Sequence, residues 1–141
     1  ANEMPLNEYL SPLIDKLVGM FPVDPYVKVE KQLEPIVLNA RILFSLGIIV
    51  NELLTNAFKY AFKPGETGTV KVSAELLGNQ VRVNVLDSGG RYLNDPATAS
   101  PVGFGLQVVQ LMAKQIGAKF EIKTIGNGKK ETLAELTFPK G

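Results

Sequence analysis

The chain has 141 residues, the usual length of one domain, so we expect residues 1–141 to form a single domain with its own core. Hydrophobic residues make up 45% and charged residues 21% of the sequence, which is typical of a soluble globular protein and excludes a disordered chain. A net charge of +1 indicates no nucleic acid or acidic lipid partner, and the lack of Cys and His excludes disulfides, thiolate zinc sites and a histidine base.

The first half of the chain predicts a helix, a strand and a longer helix. Leucines at steps of three and four predict an amphipathic helix from about Leu6 to Phe21, and alternating polar and apolar residues predict a half-exposed strand from Val27 to Leu33. An apolar stripe at helical spacing predicts a helix from Ile42 to Ala57, which Lys63-Pro64-Gly65 must end. The longest apolar run, Leu46–Val50, is far shorter than the roughly 20 residues of a membrane helix, so we expect no membrane segment.

The second half predicts a hairpin, a loop, a third helix and two more strands. Alternating valines on either side of Gly78-Asn79 predict a β-hairpin. Residues 88–102 have little apolar periodicity and predict a long loop, followed by a helix that begins near Leu106 and is closed by Gly117. Two further strands flank a Gly126-Asn127-Gly128 turn. This order predicts an α/β two-layer sandwich, with helices on one face of a mixed, mostly antiparallel sheet.

One face of the second predicted helix carries an unusual set of polar residues. Glu52, Asn56 and Lys59 are spaced by four and three residues, which places them on one face with Asn51 and Thr55 beside them. Two Asn in a helix interior are mildly unfavourable, so this face indicates a binding function. A solvated polar face without a function fits the same spacing, and the helix alone does not decide between the two.

Asp87 ends the second strand of the hairpin and is followed by Gly89 and Gly90. Its carboxylate therefore lies at the sheet edge, where glycines leave room for a flat ligand. A carboxylate there accepts a hydrogen bond from an exocyclic amine, which favours adenine over guanine. The alternative is that Asp-Ser-Gly-Gly simply forms a turn.

Gly103-Phe104-Gly105 comes directly before the Leu106 helix. Free backbone N–H groups and the positive end of a helix dipole at such a position suit a phosphate group, although a hinge at the helix start fits equally. Taken in chain order, the polar helix face, the Asp87 carboxylate and this glycine pair describe a nucleotide site.

Four segments resemble the ATPase superfamily that joins histidine kinases, type II topoisomerases, the ninety-kilodalton heat-shock chaperones and the MutL mismatch-repair proteins. Residues 51–62, Asn-Glu-Leu-Leu-Thr-Asn-Ala-Phe-Lys-Tyr-Ala-Phe, resemble its N box in the form typical of sensor histidine kinases of the second dimerisation-domain type. Asp87-Ser88-Gly89 resembles the G1 box, Gly103-Phe104-Gly105-Leu106 the G2 box, and Thr132 the threonine of the closing strand. The resemblance implies the Bergerat fold, with ATP bound between the helix layer and a lid formed by residues 88–102.

The resemblance also implies roles for the N-box residues. Asn56 would ligate Mg²⁺ through its amide oxygen, while phosphates and water fill the remaining positions. Glu52 would position or activate the attacking group, and Lys59 and Tyr60 would face the phosphates or the ribose. Catalysis would then consist of alignment and charge neutralisation of the γ-phosphoryl group.

The remaining motifs would hold the nucleotide. Asp87 would take the adenine amino group, helped by Gly89 and Thr132. The family's G1 box usually reads Asp-x-Gly-x-Gly, and its fifth position here is Arg91, which either reaches a phosphate or has no specific role. The G2 residues that would contact the nucleotide are Gly103, Phe104, Gly105 and Leu106.

The implied function belongs to two-component signal transduction. ATP would donate its γ-phosphoryl group to a histidine on a separate dimerisation domain, and a response regulator would receive it indirectly. Because the chain has no histidine, we expect it to be the catalytic part of a longer kinase. The resemblance implies a cytoplasmic location, and the missing dimerisation helices predict a monomer. Two alternatives stay open: an anti-sigma-type serine/threonine protein kinase of the same superfamily, and a degenerate module that binds nucleotide without catalysis.

Overall fold

The computed structural model of the protein describes residues 2–21, 26–91 and 99–141, and for residues 99–104 the backbone alone. Its elements in chain order are β1 (Glu3–Pro5), α1 (Leu6–Met20), β2 (Val27–Leu33), β3 (Val37–Asn39), α2 (Ala40–Asn56), a π-helical turn (Ala57–Ala61), β4 (Gly68–Leu77), β5 (Gln80–Asp87), α3 (Ala99–Gln115), β6 (Lys119–Ile125) and β7 (Glu131–Pro139). The helices pack on a five-stranded sheet, and the predicted α/β two-layer sandwich is confirmed.

The large sheet has the strand order β2-β4-β5-β7-β6. The β2–β4 pair is parallel and the other three pairs are antiparallel, so the sheet is mixed and mostly antiparallel, as predicted. Along β4, β5 and β7 every second residue is buried, as at Val72, Val83 and Leu136, while the residues between them stay partly exposed. One face of the sheet therefore carries the helices and the core, which is what strict alternation along a strand produces.

The helix α2 lies at the centre of the core. Asn39 caps its first turn, since the Asn39 Oδ1 atom accepts a hydrogen bond from the Ile42 backbone N–H at 2.9 Å. Residues Ala40–Ala61 form the one helical stretch, within the part of the chain described, long and apolar enough to cross a membrane, with a mean hydropathy of 1.3 in its 18-residue window. Because 56% of that window is buried inside the protein, between α1, α3 and the sheet, core packing accounts for its composition.

The third helix begins earlier than predicted. It starts at Ala99, so residues 99–102 are helical instead of loop, and Gly103-Phe104-Gly105 lies within α3 instead of before it. A glycine disfavours a helix by only about 1 kcal/mol, and packing of α3 along α2 outweighs that cost. The backbone amides without intrahelical partners are therefore those near Ala99. The prediction that Gly103 and Gly105 lie just before a helix start, with backbone N–H groups free to meet a phosphate, is wrong. Residues 92–98 of the predicted lid lie outside the described residues.

Two short strands near the start of the chain were not predicted. β1 pairs with β3 antiparallel, with Met4 opposite Leu38. The Leu6 backbone N–H also donates to the Ile36 carbonyl at 2.7 Å, so this small sheet joins the start of α1 to the segment that leads into α2. Strands of three residues carry too little periodicity to be recognised in a sequence.

Candidate functional site

The predicted N-box and G2 residues meet where α2 crosses α3. Gly105 lies so close to Asn56 and Glu52 that a Cβ atom at position 105 would stand 3.1 Å from Asn56 Nδ2 and 3.2 Å from Glu52 Oε2. Contacts of that length would force the neighbouring atoms to move, so glycine at this position leaves space around both polar side chains. The tertiary structure therefore brings the two motifs together.

Asn56 is buried and incompletely paired. Its side chain is 5% exposed, and its Nδ2 atom has no hydrogen-bond partner among the described residues. An unpaired buried amide costs about 1–3 kcal/mol, which a bound ligand would recover. Rotation of the amide by a half-turn would present the Oδ1 atom at the same place, so the group suits either a donor or an acceptor partner.

A π-helical turn follows Asn56 and carries Lys59 and Tyr60. Lys59 is exposed, whereas Tyr60 is half-buried and packs against the core. The prediction that Glu52, Asn56 and Lys59 share one face assumed the 3.6 residues per turn of an α-helix. Because the π-helical turn is wider, the spacing of Lys59 from Asn56 no longer places it on that face. Glu52 and Asn56 share the face, and the roles of Lys59 and Tyr60 stay predictions.

Asp87 is the last residue of β5 and is only 2% exposed. Its Oδ1 atom accepts hydrogen bonds from the backbone N–H groups of Gly90 at 2.8 Å and Gly89 at 3.1 Å. The pKa of Asp87 is raised from 3.8 to about 6, mainly by burial and in smaller part by the Glu131 carboxylate, while backbone hydrogen bonds from Gly90, Gly89 and Thr132 oppose the rise. The backbone turn and the buried carboxylate are therefore both present, and the two N–H groups of the turn donate to the same carboxylate oxygen, Oδ1.

Thr132 lies directly opposite Asp87 in the β5–β7 register. It is fully buried, and its Oγ1 atom has no hydrogen-bond partner in the described part of the chain. Both side chains occupy the core face at the same end of the sheet, since each continues the buried set of its strand. A buried carboxylate and an unpaired hydroxyl thus face the helix layer side by side.

The segment after Asp87 packs tightly on its neighbours. A Cβ atom on Gly89 would collide with the Ala61 carbonyl oxygen, and Gly90, with φ of +64°, lies against the Lys130 carbonyl. The guanidinium of Arg91 forms an ion pair with the Glu66 carboxylate. Sequence reasoning missed Glu66, because it follows a Pro64-Gly65 turn and has no motif of its own.

The other G2 residues have simpler placements. The backbone of Gly103 and Phe104 is helical, and their side-chain surroundings lie outside the described part of the structure. Leu106 is half-buried against the core, so its contacts in the structure are apolar. The nucleotide contacts proposed for these residues stay predictions.

A magnesium ion fits this site only together with a bound molecule whose phosphates share in its coordination. No group of three Asp, Glu, His or Cys residues that could hold a metal occurs among the described residues. Asn56 offers an unpaired amide and Glu52 a carboxylate close to the same glycine. Mg²⁺ commonly takes one or two protein ligands and completes its shell with phosphates and water, so the residues present fit that mode.

Residues 28–134 match the family model of the histidine kinase-like ATPase domain. The chain is 26% identical over 114 residues to blue-light-activated histidine kinase 2 of Erythrobacter litoralis. The alignment covers 80% of this chain but 32% of that protein, so the chain spans about a third of the length of this curated relative.

Solved structures of histidine kinases share the fold. The histidine kinase domain of an Erythrobacter litoralis blue-light activated histidine kinase superposes with a TM-score of 0.81 at 23% identity, covering 96% of this chain and 65% of that one. The mycobacterial sensor histidine kinase MprB gives 0.74 at 17% identity, covering 97% of both chains. The nucleotide-free catalytic domain of histidine kinase ThkA gives 0.68 at 22% identity, covering 98% of this chain and 95% of that one.

Proposed function

The chain belongs to the histidine kinase-like ATPase domain family, and from that premise we propose that it binds Mg²⁺·ATP and transfers the γ-phosphoryl group to a histidine on a separate dimerisation domain. The family that the sequence resembles is thereby confirmed. The observation that carries the proposal is the close approach of Gly105 to Asn56 and Glu52, which supports one continuous site made from two motifs.

The adenine end of the site would be formed by Asp87 and Thr132. The Gly89 and Gly90 amides occupy Asp87 Oδ1, so its second carboxylate oxygen has the lone pairs to accept from an exocyclic amine. The unpaired Thr132 hydroxyl beside it can donate to a ring nitrogen or accept from the same amine. Guanine offers a carbonyl at that position and would leave the carboxylate facing an acceptor, so the pair favours ATP over GTP.

The phosphate end would be formed by the α2 residues. Asn56 would hold Mg²⁺ through its amide oxygen, and the ion would supply neutralisation of the phosphate charge. Glu52, whose carboxylate lies close to the same glycine, would orient the incoming nucleophile. Lys59, exposed on the π-helical turn, and Tyr60 beside it would complete the phosphate and ribose contacts. The side chains thus bind and align, and covalent chemistry is left to the acceptor.

The acceptor histidine would come from another domain, because this chain contains none. A response regulator would receive the phosphoryl group from that histidine, and the reaction would take place in the cytoplasm, where ATP is available. The first alternative, an anti-sigma-type serine/threonine kinase, would transfer the phosphoryl group to a serine or threonine instead of a histidine. The second, a non-catalytic module, would bind the nucleotide and transfer no phosphoryl group.

Two experiments test the proposal. Calorimetry with a non-hydrolysable ATP analogue should give Mg²⁺-dependent binding with a dissociation constant between about 1 μM and 1 mM, the usual range for enzyme substrates. No binding at millimolar analogue with Mg²⁺ present would refute the nucleotide site. Labelled ATP should then be offered to this chain joined to a histidine-bearing dimerisation domain. Acid-labile label supports the histidine kinase, acid-stable label the serine/threonine kinase, and no label the non-catalytic module.

A further inference from the structure

The loop Ser88–Arg91 is held at each of its residues by a different part of the chain. Ser88 exchanges two hydrogen bonds with Thr69 of β4: its N–H donates to the Thr69 carbonyl at 3.0 Å, and its Oγ accepts from the Thr69 N–H at 2.9 Å. Gly89 lies against Ala61 and Gly90 against Lys130. Arg91 completes the series through its ion pair with Glu66. The loop that supplies two N–H groups to Asp87 thus contacts four other segments of the chain, one at each of its residues.

The Glu66 contact differs from the others because two side chains make it. Glu66 lies between the π-helical turn and β4, and its backbone N–H donates to the Lys63 carbonyl at 3.0 Å. The Arg91 side chain is 37% exposed and that of Glu66 is 29% exposed, so the pair is partly shielded from solvent. The hydrogen bond from Arg91 lowers the pKa of Glu66, which favours the ionised carboxylate in the ion pair.

Charge around the pair makes Glu66 hard to replace. A surface cleft of about 440 Å³ lies beside the loop, and its lining residues are Glu66, Thr67, Ser88, Gly89, Gly90, Arg91, Lys129 and Lys130. Among these lining residues Glu66 is the single carboxylate, and Arg91, Lys129 and Lys130 are the cationic ones. Without the Glu66 carboxylate, Arg91 would lose its ion-pair partner, and no other lining residue could replace it. The ion pair therefore ties Arg91 to the segment that leads into β4.

We propose that Glu66 is a positioning residue for nucleotide binding: through Arg91 it holds the Ser88–Arg91 loop where the Gly89 and Gly90 amides occupy one oxygen of Asp87 and leave the other for the adenine amine. The inference rests on the proposed function and adds to it a residue outside the N, G1 and G2 boxes. It also assigns Arg91 to a contact within the protein instead of a phosphate.

The first test compares nucleotide binding by variants of the pair. Glu66→Gln and Arg91→Gln should each weaken ATP-analogue affinity by about three- to fivefold, the size expected for a partly exposed ion pair, and should narrow the preference for ATP over GTP. The double variant should bind no more weakly than the weaker single variant, because both remove one interaction. Glu66→Asp, which keeps the charge, should recover part of the loss.

The matched control is the Glu75–Arg82 ion pair between β4 and β5, whose side chains are 39% and 36% exposed. Glu75→Gln removes a comparable ion pair from the same sheet, away from the loop, and should leave nucleotide affinity unchanged. If Arg91→Gln weakens binding while Glu66→Gln does not, Arg91 acts on the phosphates directly and the positioning role of Glu66 is overturned.

The second test separates this inference from the proposed function. Amide hydrogen exchange at Gly89 and Gly90, measured without nucleotide, should become about three- to fivefold faster in Glu66→Gln and stay at the wild-type rate in Glu75→Gln. Unchanged exchange in Glu66→Gln would overturn the positioning role even if the wild type binds ATP. Faster exchange in Glu66→Gln, together with a wild type that binds no ATP analogue, would refute the proposed function while supporting the anchoring of the loop.

Discussion

Gly105 of α3 lies against Asn56 of α2, and a Cβ atom at position 105 would stand 3.1 Å from the Asn56 amide nitrogen. The two residues belong to different motifs and to helices separated by the whole β4–β5 hairpin. Their contact makes the spacing between α2 and α3 part of the site, because any side chain at position 105 would push Asn56 or Glu52 aside.

Gly105→Ala should therefore separate stability from binding. Alanine is the better helix former by about 1 kcal/mol, which offsets strain at the crowded position, so the melting temperature should change little. Displaced Asn56 and Glu52 side chains should lower ATP-analogue affinity or phosphoryl transfer on the order of tenfold. Gly19→Ala in α1 is the control, since a Cβ atom there meets no atom within 4 Å. It should stabilise the fold with unchanged binding; equal binding by both variants would contradict a role for the Gly105 contact.

Asn56→Ala should weaken function without weakening the fold. Its buried Nδ2 atom has no partner in the described residues, so removing the amide deletes an unsatisfied group and should leave the free energy of unfolding unchanged or raise it by about 1 kcal/mol. Loss of the proposed Mg²⁺ ligand should slow phosphoryl transfer on the order of a hundredfold and abolish the Mg²⁺ dependence of analogue binding. Asn84→Ala offers a comparison, because Asn84 also has a buried unpaired amide atom but lies on β5 away from α2. Retained Mg²⁺ dependence in Asn56→Ala would exclude it as the ligand.

Asp87→Asn should remove the base preference. An asparagine can donate to the guanine carbonyl as well as accept from the adenine amine, so discrimination between ATP and GTP should largely disappear. Competition between the two nucleotides for a labelled analogue measures the ratio directly. Asp15→Asn, which alters an exposed carboxylate of α1 paired with Lys31 of the edge strand β2, is the charge-matched control. An unchanged ratio in Asp87→Asn would assign adenine recognition to another residue.

The pH dependence of Asp87 should act in opposite directions on stability and binding. Its pKa is raised from 3.8 to about 6 on folding, so between these values the folded protein holds more protons than the unfolded chain. The free energy of unfolding should therefore fall as pH rises from about 4 to 6, by up to about 3 kcal/mol from this group. ATP affinity should instead rise over the same interval as the carboxylate ionises. Denaturant unfolding measures the first trend and calorimetry the second, and Asp87→Asn should flatten both. If Asp87→Asn left the pH dependence of the free energy of unfolding unchanged between about pH 4 and 6, the raised pKa of Asp87 would be contradicted.

Local patterns predicted most of the elements and proposed the residues of the candidate site. Periodicity identified α1, α2 and the β4–β5 hairpin, because a buried face repeats every 3.6 residues in a helix and every second residue in a strand. It misplaced the start of α3, where glycines suggested a break that packing against α2 overrides. The π-helical turn after Asn56 left no signal, since its sequence continues the apolar stripe of the helix.

The sequence by itself determined which chemical groups the candidate motifs offer, because each motif is a short continuous stretch whose side chains can be read directly. Only the tertiary structure decided which groups meet: Thr132 opposite Asp87, Glu66 with Arg91, and Gly105 against Asn56. Those pairings depend on strand register and on the packing of α3 along α2. Register and packing are set by the burial of apolar faces across the whole core, which no local run of residues encodes.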